Sequence, residues 1–209
     1  MIRIAEPKSL LRRAFFGMAL LALCVAPSMP AQTMAGTFKD IADKPPAGWT
    51  LAGSNPENYK AGIDGQAVFE EKPSAYLEAK VQNTGGFGTL MQNFSAEQYL
   101  GKRVRLHAWA RALNATGWAG MWMRIDKGSG QIAFDNMESR PIRGTTGWTS
   151  YDVVLDVPQD ATTISLGILL TGPGRVWMSG VKFDTVGKDV PVTGGPKPPP
   201  GPVNLEFGK

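Results

Sequence analysis

The sequence has 209 residues, a formal net charge of +4 and 43% hydrophobic residues. A chain of this size can bury one good core and hardly two, so we expect a single main domain. With one histidine, one cysteine and no G-x-S-x-G motif, the composition excludes most chemistry that depends on a nucleophile and a base.

The first residues have the pattern of a secretion signal. Basic side chains, among them Lys8, Arg12 and Arg13, precede an apolar run at 14–26. The small-residue stretch APSMPAQ ends the pattern. The run is shorter than the roughly 20 residues that a membrane-spanning helix needs. We therefore predict a signal peptide at 1–31, cleaved after Ala31 or alternatively after Ala26, and a periplasmic or secreted location with no membrane span.

A lipid anchor is the alternative interpretation of the same segment, because Cys24 lies at the end of the apolar run. The residue before it is Leu23, whereas a lipid-anchored cysteine follows a small residue. Simple cleavage is thus the favoured interpretation, and it removes the cysteine from the mature chain.

Cleavage also changes the charge. It removes four of the 22 basic and one of the 18 acidic residues, which leaves 18 against 17. A near-neutral chain has no electrostatic attraction for nucleic acid, so we predict no nucleic-acid partner.

The rest of the chain consists of short alternating or apolar runs between turn clusters such as GSNP, NTGG and TGPG. This spacing predicts an all-β protein, an antiparallel β-sandwich, with one helical turn at 95–100. The predicted strands lie at 36–41, 49–53, 66–71, 75–81, 87–94, 103–111, 118–126, 131–135, 150–156, 162–170 and 175–183.

Two of these segments, 103–111 and 118–126, alternate strictly between an apolar and a polar face. If they pair, only one parity buries both apolar sets, and we expect Val104, Leu106, Met121 and Met123 in one core. The polar face would then be open to solvent and would carry the only histidine together with tryptophans and arginines. We call its residues the Trp/Arg/His face: Arg105, His107, Trp109, Arg111, Trp122 and Arg124.

The composition shifts after the last predicted strand. The sandwich domain is predicted at 36–186, and the run PVTGGPKPPPGP within 187–202 predicts an extended linker. Residues 203–209 are strand-like again, and we expect them to dock on the sandwich as a final strand or to remain an incidental tail.

The strings GWTLAGSNPENYKAGID, GFGTLMQNFSAEQYLGKRVRLHAWAR and the run from FDNMESRP to SGVKF carry a resemblance to a known group. They resemble small bacterial domains with a galactose-binding-like jelly roll, related to sandwich-type carbohydrate-binding modules. The resemblance covers 48–183 and implies a jelly-roll sandwich and a carbohydrate ligand. Some members carry the label of transcriptional regulator, which this exported, near-neutral chain does not support.

Related modules hold a structural calcium with a carboxylate after the Val-Trp strand and another near the first strand. This sequence has Ser179 and Gly180 at the first place and only Lys39 and Asp40 near the second. Calcium takes six to eight oxygen ligands, so we predict no metal and no cofactor.

The Trp/Arg/His face has two interpretations. In the functional one, Trp122 and Trp109 stack on a sugar ring while His107, Arg105, Arg124 and Arg111 donate hydrogen bonds, in a non-catalytic module whose partner is a carbohydrate or a glycan-bearing molecule. In the other, these side chains are cross-strand pairs covering a sheet, as in a structural or protein-interaction domain.

A glycan-cleaving enzyme is a further alternative. It needs two carboxylates about 5 to 10 Å apart, and Asp126 and Asp135 flank the loop KGSGQ. Acids around a glycine turn are more often turn residues, so we expect no catalysis.

The signal-peptide prediction is tested by mass spectrometry of the protein purified from its native host. The N-terminus should lie near Gln32, because the basic, apolar and small-residue stretches end there. An intact Met1 or a lipidated Cys24 would contradict it.

Overall fold

A computed structural model describes residues 40–194 and Leu205. Across this part of the chain there are twelve strands and two short 3-10 turns, at Pro56–Asn58 and Glu97–Tyr99, and no α-helix. The strands are β1 (Asp40–Ala42), β2 (Thr50–Gly53), β3 (Tyr59–Phe69), β4 (Lys72–Ala79), β5 (Phe87–Ser95), β6 (Arg103–Leu113), β7 (Ala115–Lys127), β8 (Gly130–Asp135), β9 (Ile142–Gly144), β10 (Thr149–Asp156), β11 (Thr163–Thr171) and β12 (Arg175–Val186).

The strands form two antiparallel sheets packed face to face. Sheet I has the order β1-β3-β4-β12-β6-β10, and sheet II has the order β2-β5-β11-β7-β8, with β9 also paired to β7. The predicted antiparallel β-sandwich of the jelly-roll type is confirmed. The prediction missed residues 59–65 of β3 and all of β9, and the predicted helical turn is the one at Glu97–Tyr99.

The core between the sheets is built from the alternating residues. The inward side chains of β6 and β7 are fully buried and belong to one cluster, which confirms the predicted core: Val104, Leu106, Ala108, Ala110, Ala119, Met121, Met123 and Ile125. The apolar period of two therefore fixed which side of each strand faces inward.

The expected pairing of these two strands is wrong. β6 lies in sheet I between β12 and β10, whereas β7 lies in sheet II between β11 and β8. The chain crosses between the sheets at Asn114, whose φ is 52°. Two strands can bury their apolar residues together in either of two ways: by pairing within one sheet or by facing each other from two sheets. The alternation of the residues is the same in both, so it did not decide between them. The polar faces of β6 and β7 consequently point in opposite directions.

A second, smaller cluster covers the outer face of sheet I. The distal half of β3 and its turn to β4 bring Ala67 against Tyr76 and Trp177, with Trp148 packed beside them. The fully buried Asp64 carboxylate holds this hairpin. It accepts hydrogen bonds from the backbone amide of Ala67 at 3.0 Å and from Trp177 Nε1 at 2.8 Å.

Residues 187–194, at the start of the predicted linker, contact both sheets. Thr193 exchanges hydrogen bonds with the backbone of Val154 on β10, and its hydroxyl donates to Asp135 on β8 at 2.6 Å. Arg103 Nη1 donates to the carbonyl of Val190 at 2.6 Å. This stretch therefore lies along the sandwich, beyond the predicted domain end at 186.

Other expectations fall outside the described residues. These are the signal peptide at 1–31, the prolines of 195–202 and the docked strand at 203–209, of which Leu205 alone is described and is exposed. No helix in 40–194 is long and apolar enough to cross a membrane.

Leu106→Ala should lower the free energy of unfolding by about 2 to 5 kcal/mol, because it removes apolar contacts and leaves a cavity. Urea denaturation measures the change. Val68, 47% exposed, supplies the matched control, and Val68→Ala should cost no more than about 0.5 kcal/mol. A loss below about 1 kcal/mol at Leu106 would contradict the assigned core.

Candidate functional site

The structure divides the Trp/Arg/His face into two halves on opposite sides of the molecule. Arg105, His107, Trp109 and Arg111 lie on the outer face of sheet I, because they belong to β6. Trp122 and Arg124 belong to β7 and lie on the outer face of sheet II. The prediction that all six side chains form one binding surface is therefore wrong.

On sheet I, the polar side chains of β6 form cross-strand pairs with carboxylates. Arg105 donates to Asp184 of β12 through Nη2 at 2.8 Å, and this hydrogen bond raises the pKa of Arg105. The His107 Nδ1 atom lies 2.8 Å from Asp152 Oδ1 of β10. These contacts match the interpretation in which the side chains cover a sheet.

The other two side chains of this half pack under the β3–β4 hairpin. Trp109 stacks on Phe69 with ring centroids 4.5 Å apart. The Arg111 guanidinium lies 4.3 Å from the ring centroid of Trp177 and 5.5 Å from that of Trp148, and burial lowers its pKa. Trp109 and Arg111 thus contribute to the second cluster, where a sugar ring could not lie flat on the indole face that Phe69 covers.

On sheet II, Trp122 and Arg124 line a cleft of about 400 Å³. The cleft crosses the sheet from β2 and β5 to β8, and it collects aromatic and polar side chains from several strands. Among its lining residues are Phe87, Trp118, Trp122, Phe134, Arg124, Gln131 and Asn136.

Two glycines on the outward side of sheet II allow close packing next to the tryptophans of the cleft. Gly120 lies between Trp118 and Trp122 on the outward side of β7, and a Cβ there would lie 2.8 Å from the carbonyl oxygen of Asn136 and 3.2 Å from the Trp118 ring. Gly167 pairs with Trp122 across β11, and a Cβ there would lie 2.3 Å from the carbonyl oxygen of Leu90. Backbone and indole come close because these positions have no side chain.

Trp122 forms the floor of the cleft and is only 7% exposed. Its Nε1 donates to Thr89 Oγ1 at 2.8 Å, and that hydroxyl donates to the carbonyl of Ile168 at 2.9 Å. The expected solvent-open position of Trp122 is therefore wrong, since its ring is largely covered and hydrogen-bonded. Trp118 and Phe134 are half-buried, and Phe87 is 37% exposed, so these rings are the more accessible ones.

Trp118 has the outward parity of the predicted segment 118–126, although it was not among the predicted site residues, and nothing in the sequence indicated Phe87, Phe134, Gln131 and Asn136. Phe134 of β8 pairs with Arg124 of β7, and Phe87 of β5 pairs with Thr171 of β11. The place of Phe87 follows from the sheet order, and that of Phe134 from a hairpin register shifted by a bulge, neither of which the alternation within one strand gives.

The two acids proposed as a catalytic pair lie on opposite faces of sheet II. Asp126 has the outward parity of Trp122 and Arg124, whereas Asp135 pairs with the core residue Met123. Burial by itself would raise the pKa of Asp135, but hydrogen bonds from Arg140 and Thr193 outweigh it and hold the pKa below its usual value. These carboxylates cannot act from two sides of one glycosidic bond.

Two other depressions are less suited to a sugar ring. One of 550 Å³ lies at the end of the sandwich around Glu78, Lys80 and Pro173, and no aromatic ring lines it. Another of 570 Å³ follows β1 and includes Trp49, which packs against the main core. Within 40–194 and at Leu205, no three His, Cys, Asp or Glu side chains come together as a metal site.

No family model matches the chain. The uncharacterized HTH-type transcriptional regulator YbfP of Bacillus subtilis (strain 168) is 44% identical over 170 residues, which are 79% of this chain and 58% of that protein. The chain thus spans less than two thirds of the length of this relative.

Similar solved structures are β-sandwiches. A xylan-binding domain of carbohydrate-binding module family 22 has a TM-score of 0.51 and 12% identity, covering 66% of this chain and 87% of its own. The Stig cyclase Fisc from Fischerella sp. TAU has a TM-score of 0.50 and 14% identity, covering 74% and 92%. At these identities the likeness establishes the fold, that of sandwich-type carbohydrate-binding modules.

Thr89→Val should destabilise the protein by about 1 to 3 kcal/mol, because it keeps the shape of the side chain but leaves the buried Trp122 N–H without its acceptor. Chemical denaturation, monitored by tryptophan fluorescence, measures the change in the free energy of unfolding. Thr116→Val is the matched control, since Thr116 is exposed and a change there should stay within about 0.5 kcal/mol. Equal effects of the two variants would refute the role of Thr89.

Proposed function

We propose that this protein is an exported, non-catalytic carbohydrate-binding protein that holds its glycan in the cleft on sheet II. The observation that carries the proposal is the cleft itself, where three accessible rings and a polar rim surround the anchored indole of Trp122.

The chemistry of the lining fits a sugar. An aromatic ring can cover the apolar face of a pyranose, and Trp118, Phe87 and Phe134 offer such faces. Amide and guanidinium groups can exchange hydrogen bonds with the hydroxyls at the edge of the sugar ring, and Gln131 and Arg124 occupy that position. A mainly apolar cleft with few polar groups is also the usual form of a small-ligand site.

The fold supports the same proposal, because a xylan-binding domain shares it. A cyclase has a similar fold, so the fold alone does not determine the function. We propose that the protein is non-catalytic because the residues that line the cleft include no carboxylate and Asp135 lies on the other face of the sheet.

The relative named as an HTH-type regulator suggests how such a domain is used elsewhere. The part of this chain that the structure describes has no α-helix, so it contains no helix-turn-helix. We propose that the region shared with that regulator is a ligand-binding part, and that this chain, near-neutral after removal of 1–31, does not bind nucleic acid.

Trp118→Ala should weaken glycan binding by roughly 30-fold or more, because truncating an aromatic anchor commonly costs about 2 kcal/mol or more. A glycan array that includes xylohexaose identifies the bound glycans, and calorimetry measures the affinity of each variant. Trp109→Ala is the matched control, since it removes a half-buried tryptophan from the opposite face, and it should leave the affinity unchanged.

Three results would contradict the proposal. They are an array without any saturable binding, retention of full affinity by Trp118→Ala, and turnover of a bound glycan into shorter products.

A further inference from the structure

One charged side chain is among the residues lining the cleft, and a carboxylate is already bound to it. Arg124 lines the cleft with 43% of its side chain exposed, and its Nε donates to Asp126 Oδ2 at 2.9 Å. The Asp126 side chain is only 10% exposed, so its carboxylate is largely shielded from solvent.

The position of Asp126 is fixed by the strand. A bulge between Ile125 and Asp126 places Asp126 opposite Gln131 of β8, another residue of the cleft. The Asp126 carbonyl accepts hydrogen bonds from the amide of Thr162 at 2.8 Å and from its hydroxyl at 3.1 Å. The backbone at Asp126 is therefore held by strands on both sides, next to Arg124 on the outward face of the sheet.

We propose that Asp126 neutralises Arg124 and thereby makes the cleft selective for uncharged sugar chains against chains that carry uronic acids. The inference rests on the proposed carbohydrate-binding function and adds the charge class of the ligand.

The physical argument has two parts. With Nε bound to Asp126, the terminal nitrogens of Arg124 remain donors for sugar hydroxyls, which are neutral acceptors. A carboxylate on the sugar would also meet a guanidinium whose charge is already balanced, and the Asp126 charge close behind it would repel the incoming anion. Arg143, on the neighbouring strand β9, donates instead to the carbonyl of Gly117 and is not among the lining residues of the cleft.

The test compares two probes: linear β-1,4-xylohexaose and the same hexasaccharide with one glucuronosyl branch. Calorimetry gives the affinity ratio of the neutral to the acidic probe for the wild-type protein and for Asp126→Asn. Asparagine keeps an oxygen that can accept from Arg124 Nε, so the substitution removes the charge and preserves the shape. The wild type should prefer the neutral probe, and Asp126→Asn should shift the ratio toward the acidic probe by roughly tenfold, as a charge-assisted hydrogen bond becomes available.

Ionic strength supplies a second readout that a loss of folding would not produce. Wild-type binding of the neutral probe should be the same at about 0.02 M and about 0.5 M salt, whereas binding of the acidic probe by Asp126→Asn should weaken at the higher concentration, where screening is strong.

Asp184→Asn is the matched control. It releases an arginine from an equivalent pair, Arg105 with Asp184, on the opposite face of the sandwich. It removes the same charge from the protein, so it should leave the ratio of the two affinities at the wild-type value.

The outcomes separate this inference from the proposed function. A wild-type preference for the acidic probe, no shift in Asp126→Asn, or an equal shift in Asp184→Asn would overturn the role of Asp126 while leaving carbohydrate binding in place. Absence of binding to either probe and to every glycan on the array would overturn both.

Discussion

The core between the two sheets is the constraint on which the other features depend. β6 and β7 each present an unbroken row of buried apolar residues, and these rows face each other from different sheets. Burial of the rows is strongly favourable, since each fully buried large side chain contributes about 1.5 to 3 kcal/mol. The polar rows of the two strands must then point away from each other, and a surface that shares residues of both cannot form.

The outer faces of the two sheets differ in how much of each is covered by other parts of the chain. On sheet I, the end of β3 turns over the sheet, and the buried Asp64 carboxylate ties that turn to Trp177. On sheet II, the chain packs closely at Gly120 and Gly167, and the buried Trp122 is held by the hydrogen bond from its N–H to Thr89. One face is closed by its own chain, and the other keeps a cleft with aromatic walls.

The sequence was sufficient for the sandwich class and for the inward side of each strand, because an alternation of period two is a local property. It was insufficient for the partners of β6 and β7, since facing strands and pairing strands satisfy the same alternation. The candidate site was predicted in part, through Trp122 and Arg124. The remaining walls have two origins. Phe87 comes from β5, which is distant from β7 along the chain and reaches the cleft through the sheet order, whereas the position of Phe134 depends on the register of the β7–β8 hairpin and its bulge.

The central claim is that a glycan contacts the outer face of sheet II and leaves sheet I untouched. Each of the six tryptophans carries an indole N–H that two-dimensional NMR of the labelled protein can follow during titration with xylohexaose. The account predicts that the signals of Trp118 and Trp122 move with saturation while those of Trp109, Trp148 and Trp177 stay in place. Movement of Trp109 or Trp148, with Trp118 and Trp122 unchanged, would contradict it.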